Sequence, residues 1–280
     1  MAEITAADVK ALREETGLPM MECKGALTEA GGDKGKAIEI LALKHKGKME
    51  SRADRETGEG RIAVYIDESG TRGGIVELRC ETAPVAKNEV FIDLAVGIAR
   101  QVVEQEEASP AVDAILASRL PEGGDRSVSD AMTEVYGKLR ETMKLASCRR
   151  VEGAYLTSYV HHDGKSGVLI ALDAKPGDEA AGLDLCHHAT FSRPMAITRD
   201  QISAEAIEKV RAQAREIALA EGKPEAIVDK IVEGKVNAYC AENSLMEQEH
   251  VKVSKTKVRD VLKAAGVSAV TDLVFMHVGA

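Results

Sequence analysis

The sequence predicts an α+β fold assembled from modules. Three observations carry this expectation. Three short helical runs crowd the first 55 residues, a hairpin-plus-helix pattern occurs twice, and a long helical pair is broken by Gly222-Lys223-Pro224. At 280 residues the chain has room for two or three folding units. Aromatic residues are only 3%, so Ala, Val, Ile, Leu and Met must fill the core, which favours closely packed helices.

The elements follow in chain order. In "ITAADVKALREETG", Thr5 is an N-cap, Val9 and Leu12 share a face, and Gly17 stops the helix. "PMMECKGALTEAGG" starts with Pro19 in a first-turn position, carries Met20, Cys23, Ala26 and Leu27 at helical spacing, and ends at Gly31-Gly32. Asp33 caps a third helix. So small a bundle is marginal alone and needs a larger body beside it. Residues 48–60 have no apolar period and read as a linker or a solvated helix extension.

"GRIAVYIDESGTRGGIVELRC" alternates at Ile62, Val64 and Ile66, turns, and returns as a hairpin. "GAYLTSYVHHDGKSGVLIALDA" repeats the pattern, with a Tyr five positions before a Gly in both copies. Helical runs follow each, "KNEVFIDLAVGIARQVV" and "DEAAGLDLCHHATFSRP". Between the copies, 127–153 reads as one amphipathic helix with Ser127 or Ser129 near its start. Further on, Ile207, Val210, Ala214 and Ile217 face Ile227, Ile231, Gly234 and Ala238 across the Gly-Lys-Pro break. That spacing predicts an antiparallel coiled-coil hairpin. "SKTKVRDVLKAAG" is a last capped helix.

Composition and motifs exclude several function classes. The net charge of −9 argues against nucleic acid as the main partner. No apolar run reaches membrane length, and "MAEITAADVK" has no signal-peptide character. Five scattered cysteines with no Cys-x-x-Cys read as free thiols of a reducing cytoplasm. His161-His162 and His187-His188 invite a metal hypothesis. Neighbours on a strand face opposite sides, however, so one ring of each doublet is expected inside and one outside. "GKS" at 164–166 has Tyr159 where a phosphate loop needs Gly. No catalytic signature, metal site or cofactor is expected; the pattern points to protein binding. Of Met20 and Met21, one is expected in the core and the other exposed as a soft contact residue.

"LREETGLPMMECKGALTEAGGD" resembles the N-terminal signature of the elongation factor Ts family. The similarity continues through "VAKNEVF", "SYVHHDGKSGVLIAL", "EGKPEAIVDKIVEGK" and "SKTKVRDVL" in family order, and is weakest at 101–150. The resemblance implies a guanine nucleotide exchange factor for elongation factor Tu, bound in its GDP and nucleotide-free forms. It also implies transient association with the translation machinery, cytoplasmic location and no covalent catalysis. The implied organisation is a ubiquitin-associated-like domain (1–55), core subdomain N (56–150) and core subdomain C (151–202 and 241–253). A coiled-coil hairpin (203–240) and a C-terminal helical module (254–280) complete it. Arg13, Met20, Met21 and His161 become expected partner contacts. The family's exchange tip, Thr-Asp-Phe-Val-Ala, aligns with Thr82, Ala83, Pro84, Val85 and Ala86, so its Asp and Phe are missing here. Glu249-His250 likewise stands where relatives often have Pro-Phe. A binding module without efficient exchange is the alternative this departure raises; a metal-dependent enzyme using the His doublets is the third.

Overall fold

A computed structural model describes residues 4–121 and 125–280. Helices α1 (Ala6–Thr16), α2 (Met20–Glu29) and α3 (Lys34–Glu50) open the chain. Thr5 caps α1 in a reciprocal box with Asp8, and Asp33 caps α3. Gly17 ends α1 at φ 70, which glycine reaches without a Cβ clash. Leu12, Cys23, Leu27 and Leu41 centre a small core shared by the three helices. The charged stretch after Lys48 finishes α3 and then turns, before β1 (Glu59–Ile66) begins.

β1 and β2 (Arg72–Cys80) form the first expected hairpin, antiparallel in register from Glu59 opposite Cys80. Helices α4 (Ala83–Ala86), α5 (Glu89–Val103), α6 (Val112–Ala117) and α7 (Val128–Leu139) follow. The single helix expected over 127–153 is corrected. Helix α7 stops at Arg140, left-handed at φ 63, and β3 (Met143–Glu152) then pairs with β2. The reason lies in a bulge. Buried positions run Met143, Leu145, Cys148 and Val151, and the register shifts beside Leu78. The bulge makes the first spacing of three, burial of Cys148 on the helix side and of Val151 between the sheets makes the second, and together they imitate a helix and conceal the strand.

The second hairpin is β4 (Tyr155–Val160) with β5 (Ser166–Leu172), followed by α8 (Glu179–Ser192). Helices α9 (Ala204–Ala220) and α10 (Glu225–Asn243) make the long pair, and α11 (Val258–Ala264) precedes β6 (Val270–His277). The C-terminal module over 254–280, expected to be helical, thus contributes a strand as well as a helix. β6 pairs antiparallel with β5 and completes a second three-stranded sheet, with Val270, Val274 and Met276 turned inward.

The two sheets, ordered β1-β2-β3 and β4-β5-β6, stack through Ile62, Ile75, Leu156, Leu169, Val274 and Met276. Phe91, Ile98 and Tyr136 of α5 and α7 cover the outer side of the first sheet; Leu185 and Leu262 of α8 and α11 cover the second. The result is four layers, helix, sheet, sheet, helix. Gly74 lets α5 lie hard against β2, since a Cβ there would stand 2.2 Å from the Ala99 carbonyl oxygen. The seam of the long pair is also corrected. On α10 it is Val228, Val232, Val236 and Cys240, one residue beyond the expected stripe in its first half and two in its second, while Ile217 and Ile227 are exposed. Among the described residues no helix is long and apolar enough to cross a membrane.

Candidate partner-binding surface

The tip is a one-turn helix. Thr82 is extended at its N-cap (φ −133, ψ 150), Ala83 is its first residue and Pro84 its second. Pro is tolerated there because first-turn amides have no helical acceptor. A Pro disfavours helical geometry in the residue before it, yet Ala83 is helical. Thr82 and Pro84 are exposed and Ala83 half-buried. Val85 is buried with Ala86 against the core that holds Phe91 and Leu94, which turns its side chain inward beneath Pro84 rather than outward as expected of a contact residue. Phe91 itself is fully buried in α5.

What holds the tip was not visible in the local sequence. The Thr82 amide donates to Glu141 Oε2 at 3.0 Å and its hydroxyl to Oε1 at 2.6 Å. Conversely, the Thr142 amide donates to Glu81 Oε1 at 2.8 Å, and Arg55 donates to Glu81 Oε2 at 3.0 Å. The amide of Thr142, outweighing burial, holds the Glu81 carboxyl below the usual carboxylate range. Next in sequence to Glu141, the Arg140 guanidinium donates to Glu22 on α2 at 2.7 Å, and His45 Nε2 lies 3.0 Å from the same carboxylate oxygen. Burial raises the Glu22 carboxyl, but the hydrogen bonds from Arg140 and His45 outweigh it and the net shift is downward.

Arg13 is exposed in the last turn of α1. Met20 and Met21 are both exposed, at 48% and 75%, which corrects the expectation of one core Met; the inward positions of α2 are Cys23, Ala26 and Leu27. His161 stands on the second sheet's hairpin turn, half-buried, with Nδ1 3.1 Å from the Tyr159 hydroxyl. β4 ends at Val160, so the alternation argument does not apply to His161 and His162. Their rings lie 4.2 Å apart, with His162 exposed. His188 is buried and its Nε2 is 2.9 Å from Gln248 Oε1. Among the described residues no three His, Cys, Asp or Glu side chains converge as metal ligands would. The five cysteines are free and buried, and burial pushes the Cys186 thiol up to about 12.

Comparison with known proteins follows from this geometry. Residues 81–280, which span the tip, β3, the second sheet and the long helical pair, match the family model described as elongation factor TS. The chain is 42% identical over 274 residues to elongation factor Ts of Kineococcus radiotolerans, covering 95% of this chain and 96% of that one. It is 43% identical over 268 residues to elongation factor Ts of Ralstonia nicotianae, covering 96% and 88%. With that of Aquifex aeolicus it shares 41% over 272 residues, covering 95% and 94%. Similarity of this depth along nearly the whole chain, in relatives of matching length, shows that the chain belongs to the elongation factor Ts family.

Proposed function

We propose that the chain is a translation elongation factor that binds elongation factor Tu with GDP and promotes exchange of that GDP for GTP. The single observation that carries this is the full-length similarity to elongation factor Ts proteins. Linkage supplies the mechanism. A protein that binds the nucleotide-free partner more tightly than the GDP-bound one weakens GDP by the same factor. Turning a 1:99 equilibrium into 99:1 takes about 5.5 kcal/mol of differential binding. The tip at Thr82, Ala83 and Pro84 disturbs the partner's magnesium and phosphate sites, where a bound cation otherwise neutralises the phosphates. Val85 acts beneath it as an anchor. Arg13, Met20 and Met21 grip the GTPase domain, and His161 makes a separate contact from the second sheet. No covalent chemistry is asked of this chain, and cytoplasmic location and transient contact with the translation machinery follow from the role.

The finer organisation belongs to the same proposal. It comprises a ubiquitin-associated-like domain (1–55), subdomains N (56–150) and C (151–202 and 241–253), a protruding hairpin (203–240) and a C-terminal module (254–280). The separate core of α1 to α3 and the two hairpin-plus-helix sheets support it. A second reading, a binding module with weak exchange, draws on Ala83-Pro84 at the tip. Release of a fluorescent GDP from elongation factor Tu decides between them. Acceleration at saturating chain, slowed in Pro84→Ala, is the expected result. A tight complex with an unaltered GDP off-rate favours the binding module, and no complex at all rejects both.

A further inference from the structure

We infer that Glu141 is the positioning residue of the exchange tip, fixing Thr82 so that Pro84 is presented at one angle. The inference rests on the tip reading above. Its basis is a reciprocal clasp of two Glu-Thr pairs, Glu81-Thr82 and Glu141-Thr142, each carboxylate accepting the other pair's Thr amide. The Thr82 hydroxyl adds a third bond of 2.6 Å to Glu141. Hydrogen bonds to an ionised carboxylate are the strong kind.

The tip needs such a support. A four-residue helix cannot hold itself, because the first turn fixes many dihedrals for few hydrogen bonds. An N-cap Thr ordinarily accepts an amide from the second or third helical residue. Here the second is Pro84, which has no N–H, and the Thr82 side chain makes no cap bond. Its hydroxyl is turned to Glu141 instead. Ala83 carries no polar group to substitute for that bond. Val85 and Ala86 pin the inner side of α4 to the core and the Cys80 thiol donates to the Thr82 carbonyl at 3.3 Å, while the Glu141 carboxylate grips the amide and hydroxyl of its exposed leading end. The left-handed turn at Arg140 aims Glu141 at the tip, and Arg140 itself is tied to Glu22, next to Met21. One short segment thus braces both expected contact surfaces.

The test is GDP release from elongation factor Tu, measured across concentrations of the full-length chain. Glu141→Ala should lower the saturating rate by about tenfold, the scale of one or two charge-assisted bonds. The half-saturating concentration should stay within about twofold, because the α2 and His161 contacts remain. Glu141→Gln, which keeps one acceptor oxygen, should fall between. Thr82→Val should also slow the saturating rate, and the double variant Thr82→Val/Glu141→Ala should be no slower than Glu141→Ala alone. Thermal unfolding of each variant shows that the fold is kept; Thr82→Val and Glu141→Gln carry the test if Glu141→Ala does not fold. A normal saturating rate in Glu141→Ala beside a slow Pro84→Ala overturns the clasp and leaves the tip reading standing, as do strictly additive losses in the double variant. Normal exchange in Pro84→Ala overturns the tip reading and the inference with it.

Discussion

Met21 is three-quarters exposed although it lies one turn from a packed core. An apolar side chain left in water contributes little to folding, so it can be removed cheaply. Met21→Ala should leave stability within about 0.5 kcal/mol of the parent, as substitutions outside the core generally do. If Met21 is a contact to elongation factor Tu, the same change should weaken the complex by about 1 kcal/mol or more. Calorimetric titration with the partner and thermal unfolding of the free chain measure the two terms separately. Equal losses in both would make Met21 a structural residue. Its neighbour illustrates what a single residue's sequence hides. The helical period places Met20 inward, yet α2 packs through Cys23, Ala26 and Leu27 and leaves Met20 half-exposed. A three-helix unit is too small to bury every apolar position its periodicity offers.

At the scale of the element, the long pair shows the same ambiguity in a measurable form. Two apolar stripes on α10 lie about 100° apart, Ile227-Ile231 and Val228-Val232-Val236-Cys240. The second is buried, against Ala214 and Ala218 of α9 near the loop. Val232→Ala should therefore cost about 2 kcal/mol and raise amide exchange along the hairpin. Ile217→Ala should be close to neutral, within about 0.5 kcal/mol. The reverse ranking would restore the stripe read from the sequence. Local chemistry in this chain is legible: Thr5, Asp33 and Gly17 cap or stop helices as their residue types dictate. So is the repeated hairpin, since alternation and Gly turns are local signals. β3 and β6 are not legible, because a bulge breaks the alternation of one and the partner of the other lies about 100 residues earlier. Glu141 escaped for the same reason. Its bond to Thr82 spans 59 residues, and nothing near either residue announces it.

For the whole molecule, pH couples the layers through two buried imidazoles. His188 on α8 donates from Nε2 to Gln248, and its Nδ1 accepts the Val251 amide at 3.3 Å. Both ring nitrogens are thus engaged by the neutral tautomer, and a second ring proton would face an N–H. His250 stacks on it at 5.5 Å and accepts the Lys252 amide. Burial lowers the pKa of His188, a hydrogen bond to Gln248 resists, and His250 lowers it further. For His250, burial lowers the value, Asp184 opposes and Lys252 assists. The sign follows directly. Both groups bind fewer protons when folded, so their contribution is fully present above the ordinary imidazole value, about 6.5. It is lost as the pH falls from there through the lowered folded values. The carboxylates of Glu22 and Glu81 are also shifted downward, but theirs is an effect of more acidic solution, below the ordinary carboxylate range. Thermal midpoints should therefore be flat from pH 8 to about 7 and decline between about 6.5 and 5. The double variant His188→Gln/His250→Phe should flatten that decline, since neither replacement titrates. A midpoint equally steep in the variant would assign the slope elsewhere. The segment concerned, 245–257, joins α10 to α11 and so to β6, the strand that closes the second sheet. Acid loosening should accordingly begin there, and amide exchange at pH 5.5 should rise first around Gln248, Val251 and the hairpin base, before β1 and β2 respond.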